Sequence, residues 1–139
     1  MASIHFHSLV KGLRIPKKET LSRWIKSTVK SENQKLGSLG IIFCSDAYLL
    51  KINQQYLQHN YYTDIITFQY DDNQELSGDI MISIDRVKEN AKKFDCQYKD
   101  ELNRVIIHGV LHLCGYKDKT KSAKKKMTDK ENYYLKKLK

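Results

Sequence analysis

Apolar residues recur at two different spacings along the chain, and the switches between them outline nine elements. Ser3–Leu9 alternates loosely and predicts a strand. Leu21, Trp24, Ile25 and Val29 fall at helical spacing, with Pro16 suited to the first turn before them. Asn33–Ser38 breaks that helix, and Leu39–Cys44 is a short β-rich run. Ser45 can cap a second helix whose inner face would hold Tyr48, Leu49, Ile52 and Tyr56. Thr63–Tyr70, dense in β-branched and aromatic residues, predicts a strand. A polar turn at 71–77 and a further strand over Gly78–Ile84 would complete a hairpin. Asp85 can then cap a helix reaching about Phe94. Asp100–Cys114 is the most apolar helix, with Leu102, Val105, Ile106, Val110, Leu111 and Leu113, and is expected to be central. Thr120–Lys139 is a lysine-rich amphipathic helix with Met127, Tyr134, Leu135 and Leu138 facing inward. The order β-α-β-α-β-β-α-α-α implies an α+β fold. It is a single domain over residues 1–139, with a small mixed sheet of about four strands packed by five helices.

Length agrees, since 139 residues suffice for one core but not two. No internal repeat and no linker interrupts the pattern. No apolar run approaches a membrane span. Met1–Val10 carries His5 and His7, unlike a signal peptide. Cys44, Cys96 and Cys114 are odd in number and lack a C-x-x-C pair, which points to a reducing compartment; the expected location is the cytoplasm. A net charge of +9 suits a phosphate-rich partner, nucleic acid among them.

The chemistry concentrates in His108-Gly109-Val110-Leu111-His112-Leu113-Cys114-Gly115-Tyr116-Lys117-Asp118. Histidines four apart on a helix share a face and can ligate one metal ion. Gly115 can end the helix in a left-handed conformation, and the turn brings Asp118 round as a third ligand. Three protein ligands leave one position open, the arrangement of catalytic rather than structural zinc. The expected metal ligands are therefore His108, His112 and Asp118, holding one zinc ion per chain; two histidines and one carboxylate would also accept nickel or another divalent ion. Cys114 points about 200° round the helix from His112 and is read as packing.

The spacing is similar to the metzincin peptidase pattern H-E-x-x-H-x-x-G-x-x-H. Gly109 stands where those enzymes place their glutamate base, and Asp118 where they place a third histidine. Without a side chain, Gly109 leaves room either for a bulky substrate beside the metal or for close backbone approach.

A closer likeness is to the bacterial YbeY family. His108-Gly-x-x-His112-Leu-x-Gly115-Tyr116 resembles that family's H-G-x-L-H-L-x-G-Y-D-H. Thr63-Asp64-Ile65-Ile66-Thr67-Phe68 resembles its T-D-V-L-S-F strand, and Leu76-Ser77-Gly78-Asp79-Ile80-Met81-Ile82-Ser83 its L-x-G-D-I-x-I-S strand. The resemblance covers nearly the whole chain. It implies zinc held by His108, His112 and the residue at 118, and a zinc-dependent endoribonuclease that cleaves single-stranded RNA. It further implies 3′-end processing of small-subunit (16S) ribosomal RNA and ribosome quality control; whether a ribosomal protein or a ribosome-assembly GTPase is a partner is left open. The chain departs from the family at Asp118, where histidine is usual, and at Leu57, where the family's activity-linked arginine precedes the T-D-V-L-S-F strand.

The catalytic groups are left open: the nucleophile is either water at the metal or the RNA 2′-hydroxyl. Tyr61, Tyr62, Phe68 and Tyr70 are candidates for stacking on unpaired bases, with Phe68 read as core. Asp64 and Asp79 either orient a ligand histidine or serve as caps and ion-pair partners. His59 and Lys117 are candidate replacements for the arginine. The lysine-rich final helix is expected to pack on one face and meet RNA on the other. Two rival readings stay open, a non-catalytic ribosome-assembly factor with a structural metal and a zinc hydrolase of another substrate.

Overall fold

The computed structural model describes residues 2–15, 17–59, 62–70 and 74–138. Pro16, Tyr61 and residues 71–73 of the expected polar turn at 71–77 lie outside the described residues. Among the described residues nine elements follow in the expected order: β1 (Ser3–Ser8), α1 (Lys18–Ser31), β2 (Leu36–Cys44), α2 (Asp46–Leu57), β3 (Ile65–Tyr70), β4 (Leu76–Ser83), α3 (Ile84–Lys93), α4 (Tyr98–Leu113) and α5 (Lys121–Leu138). The four strands form one mixed sheet in the order β1-β2-β4-β3. β1 and β4 flank β2 in parallel, and β3 closes the sheet as an antiparallel hairpin partner of β4.

Strand alternation divides the core. Leu39, Ile41 and Phe43 of β2 and Ile80 and Ile82 of β4 point to one face, where they meet α1, α4 and α5 in the main cluster. Ile42, Cys44 and Met81 point to the other face and meet Leu49 and Ile52 of α2. Within α4, Val105, Ile106, Ile107, Val110 and Leu111 are all buried, so the histidine-bearing helix is the central one.

Two expected details are corrected. On the inner face of α2, Leu49 and Ile52 pack as expected beside buried Asn53, while Tyr48 and Tyr56 are exposed. A single helix on that sheet face has little to bury against, so its tyrosines stay at the rim; Tyr56 meets Phe68 edge-on at 6.1 Å. The cap of α3 is Ser83, whose hydroxyl accepts from the Arg86 amide. Asp85 instead accepts from the Asp46 amide, and Arg86 forks onto Asp46 with Nε and Nη2, tying α3 to the start of α2.

Three helices stop in the same way. After α1, α3 and α4 the residues Asn33, Asp95 and Gly115 take positive φ. In each case the next amide reaches back five residues: Gln34 to Val29, Cys96 to Ala91, and Tyr116 to Leu111. This paired-carbonyl ending turns the chain sharply. After α4 it sends residues 116–118 back over the helix end.

Candidate metal centre

His108 and His112 lie one turn apart on α4, with ring centres 6.5 Å apart. Gly115, at φ 113°, reverses the chain, and its amide donates to the His112 carbonyl. The reversal brings Asp118 Oδ2 to 3.4 Å from His108 Nε2. Zinc–ligand bonds of about 2.0–2.1 Å at tetrahedral angles put neighbouring donors about 3.3–3.4 Å apart. The His108–Asp118 pair therefore already has the separation of two ligands of one ion. Among the described residues no three His, Cys, Asp or Glu side chains are closed round a common point. Of the three expected ligands, His108 and Asp118 stand at this separation.

Each imidazole has its other nitrogen occupied. His108 Nδ1 is 2.7 Å from Glu131 Oε2, on α5. A carboxylate only accepts, so Nδ1–H donates, and in the neutral ring Nε2 then keeps its lone pair. Arg104 Nη1 donates to the other Glu131 oxygen at 2.9 Å and Nη2 to Asn132 Oδ1 at 2.7 Å, which fixes Glu131 from behind. His112 Nδ1 is 3.4 Å from Thr67 Oγ1 on β3. A histidine held at Nδ1 by a carboxylate or hydroxyl, with Nε2 presented, is the outer support that metal-ligating histidines ordinarily have. Asp64 and Asp79 do not supply it. Asp64 accepts from Asn90 Nδ2, and Asp79 accepts from the Tyr70 hydroxyl.

The two rings titrate in opposite directions. Burial pulls His108 down, but the hydrogen bond and charge of Glu131, with Asp118 and Asp64 behind it, bring it above the ordinary histidine value. Burial also lowers His112; Asp118 opposes this, but His108, Lys117 and Lys119 add to the lowering, so it stays neutral more readily. Burial pushes the Cys114 thiol up to about 12, so it adds no thiolate beside the histidines.

Gly109 has a single spatial role. A Cβ there would come within 2.8 Å of Ile65 Cδ1 and Ile80 Cγ2, so the glycine lets α4 rest directly on β3 and β4. Close backbone approach, not space for substrate, is what the missing side chain provides. Leu57 sits exposed at the end of α2 and Lys117 is exposed in the ligand turn. Tyr62 is exposed with the Arg86 guanidinium 5.0 Å from its ring, and Phe68 packs against α2 as expected. A cavity of about 880 Å³ lies elsewhere, between α1, the first half of α4 and the end of α5. Arg104 and Asn132 are in its wall, and His108, His112 and Asp118 are not. The histidines themselves are half-buried.

The fold is that of a small α+β protein whose central helix ends in a cluster of His108, Glu131 and Asp118. The family model for endoribonuclease YbeY matches residues 10–139, and the chain belongs to that family. Among similar proteins, an endoribonuclease YbeY of Bacteroides thetaiotaomicron is 49% identical over 126 residues, covering 89% of this chain and 92% of the relative. One from Flavobacterium psychrophilum is 52% identical over 113 residues, covering 81% of each. The solution structure of TM1509 from Thermotoga maritima superposes with a TM-score of 0.69 at 29% identity, over 98% of this chain and 89% of that one. Among the described residues no helix is long and apolar enough to cross a membrane.

Proposed function

We propose that the chain is a divalent-metal-dependent endoribonuclease of single-stranded RNA, working in the cytoplasm on the 3′ end of small-subunit ribosomal RNA. Similarity to proteins named endoribonuclease YbeY supports the reaction class. The observation that carries the metal is the pair of braced histidines: Glu131 and Thr67 occupy both Nδ1 atoms, and His108 Nε2 faces Asp118. His108, His112 and Asp118 would hold one zinc ion. A bound divalent ion supplies Lewis-acid polarisation and neutralises charge developing on the phosphodiester.

The chain's own residues do the rest. Arg104 and Glu131 keep the His108 ring from rotating, so its Nε2 stays directed at the ligand turn. Lys117 and Lys119 flank Asp118, and their exposed ammonium groups bind phosphate oxygens next to the scissile bond. No carboxylate stands at Gly109 to act as base, but RNA carries its own 2′-hydroxyl nucleophile, so a strong protein base is not required.

A test is cleavage of single-stranded and duplexed forms of one ribosomal RNA fragment, with chelator and then with zinc restored. Chelator-sensitive, single-strand-selective cleavage is expected; cleavage indifferent to chelator would overturn the reading. One observation favours a second reading: exposed Leu57 replaces the arginine of the family pattern, which suits a non-catalytic assembly factor with a structural metal. In that case chelation would unfold the protein, and no condition would yield cleavage.

A further inference from the structure

Charge on this chain is unevenly placed. Residues 117–139 hold ten lysines against three carboxylates, so they carry +7 of the chain's +9. The preceding 116 residues are close to balanced, with fifteen cations against thirteen anions. The excess belongs to the ligand turn and α5.

Part of it is organised. Lys126, Lys130, Tyr133 and Lys137 recur at i, i+4, i+7 and i+11, one face of α5. This stripe flanks the buried face of Met127, Glu131 and Tyr134 rather than belonging to it. Tyr116, two residues before Asp118, joins the stripe at its upper end. Lys126 Nζ and Lys130 Nζ each lie 5.8 Å from the Tyr116 ring centre. Lys130 Nζ is also 5.9 Å from the Tyr133 ring, and Lys137 Nζ 4.9 Å from it. The five side chains alternate as cation, ring, cation, ring, cation. Glu32 fixes the upper part from below, accepting from Lys130 at 3.2 Å and from the Tyr116 hydroxyl at 2.7 Å. Tyr133, Lys126 and Lys137 remain exposed.

We infer that this stripe is a docking track for single-stranded RNA, along which the strand flanking the cleaved bond runs from the ligand turn down α5. The inference rests on the ribonuclease reading above and adds where the substrate lies. Single strands are bound by cations that follow the phosphates and by aromatic rings that accept unpaired bases, the two elements interleaved here. The stripe has no aliphatic side chain to enter a lipid surface. Duplex RNA would not expose base faces to Tyr116 and Tyr133.

The test uses the triple variant Lys126→Gln/Tyr133→Ala/Lys137→Gln, which touches none of the metal-centre residues and alters only exposed positions. Binding of a trinucleotide and of longer single-stranded oligoribonucleotides is measured on chelated full-length protein, across a salt series, with thermal melting as the fold control. The expected result is an about tenfold weaker affinity for the long strand from the lost ring. The slope of log affinity against log salt should shrink by about 1.4, for two phosphate contacts. Trinucleotide binding should be unchanged. Equal affinity and slope in variant and wild type would overturn the track. So would competition by poly-glutamate that matches RNA of equal charge, since the surface would then be one for acidic protein. Failure of the ribonuclease reading looks different: the wild type would cleave no RNA while the stripe variant still lost binding.

Discussion

Replacing Gly109 with alanine sets two effects of opposite sign against each other. In a helix interior alanine is favoured over glycine by about 1 kcal/mol. Here the new methyl would sit 2.8 Å from Ile65 Cδ1, 2.8 Å from Ile80 Cγ2 and 3.1 Å from Ile80 Cδ1. The Ile65 contact is with a side-chain tip that can swing away. Ile80 cannot, because it is fully buried, β-branched and fixed in β4 between β2 and β3. Relief to ordinary contact moves α4 outward by several tenths of an ångström, and overpacking of this kind costs about 1–3 kcal/mol. The packing cost exceeds the propensity gain, so Gly109→Ala should lose about 1 kcal/mol and up to about 2. For 139 residues that is a Tm lower by about 3–7 °C. Thermal melting of chelated wild type and variant removes the contribution of bound metal. Because His112 meets Thr67 across the same helix–sheet contact, zinc affinity should fall as well. A Tm raised by about 3 °C, the propensity gain alone, would refute the reasoning and show that α4 does not rest on Ile80 through Gly109.

Other consequences follow from the same geometry. Glu131→Gln should weaken zinc binding about 10- to 100-fold with little change in fold, as loss of the group supporting a ligand histidine does; competition with a metal-indicator dye reads this, and unchanged affinity would remove Glu131 from the site. Burial raises the Glu32 carboxyl, but hydrogen bonds from Tyr134, Tyr116 and Lys130 outweigh it and hold its pKa below the ordinary glutamate value. A depressed carboxyl stabilises the folded state above its unfolded pKa, and that contribution disappears as pH falls through the lower folded value. Glu32→Gln should therefore be less stable than wild type near neutrality, with the gap narrowing below about pH 4.5; a gap independent of pH in denaturant titrations would contradict this. Leu57→Arg restores the cation of the family pattern and should raise kcat/KM for RNA on the order of tenfold or more, and an unchanged value would show that another cation already serves.

The elements were legible because their apolar residues keep the period of the structure they form. Leu21, Trp24, Ile25 and Val29 are buried along α1 as their spacing implied, and the run from Val105 to Leu113 fills the core. The closeness of His108, His112 and Asp118 was legible because they are local, spanning one helix end and one turn. α2 was misread because Tyr48 and Tyr56 have the right spacing but lie beyond the reach of a single-helix layer, whereas buried Asn53 has no apolar signature. Glu131 was missed because its role is non-local, 23 residues beyond His108 and amid lysines. Its one signal was position: it falls four residues after Met127 and three before Tyr134, on the stripe that α5 buries. A carboxylate on a buried stripe needs a partner, and two came from α4, His108 and Arg104.

The central claim, that His108, His112 and Asp118 hold a metal on which RNA cleavage depends, is tested most directly by measuring metal content and cleavage of single-stranded ribosomal RNA together, on one preparation each of wild type and His112→Ala. The account predicts about one zinc per wild-type chain, as three ligands around a single ion require, with chelator-sensitive cleavage, and both lost in a variant that still folds. Cleavage that persists in metal-free His112→Ala protein would contradict it.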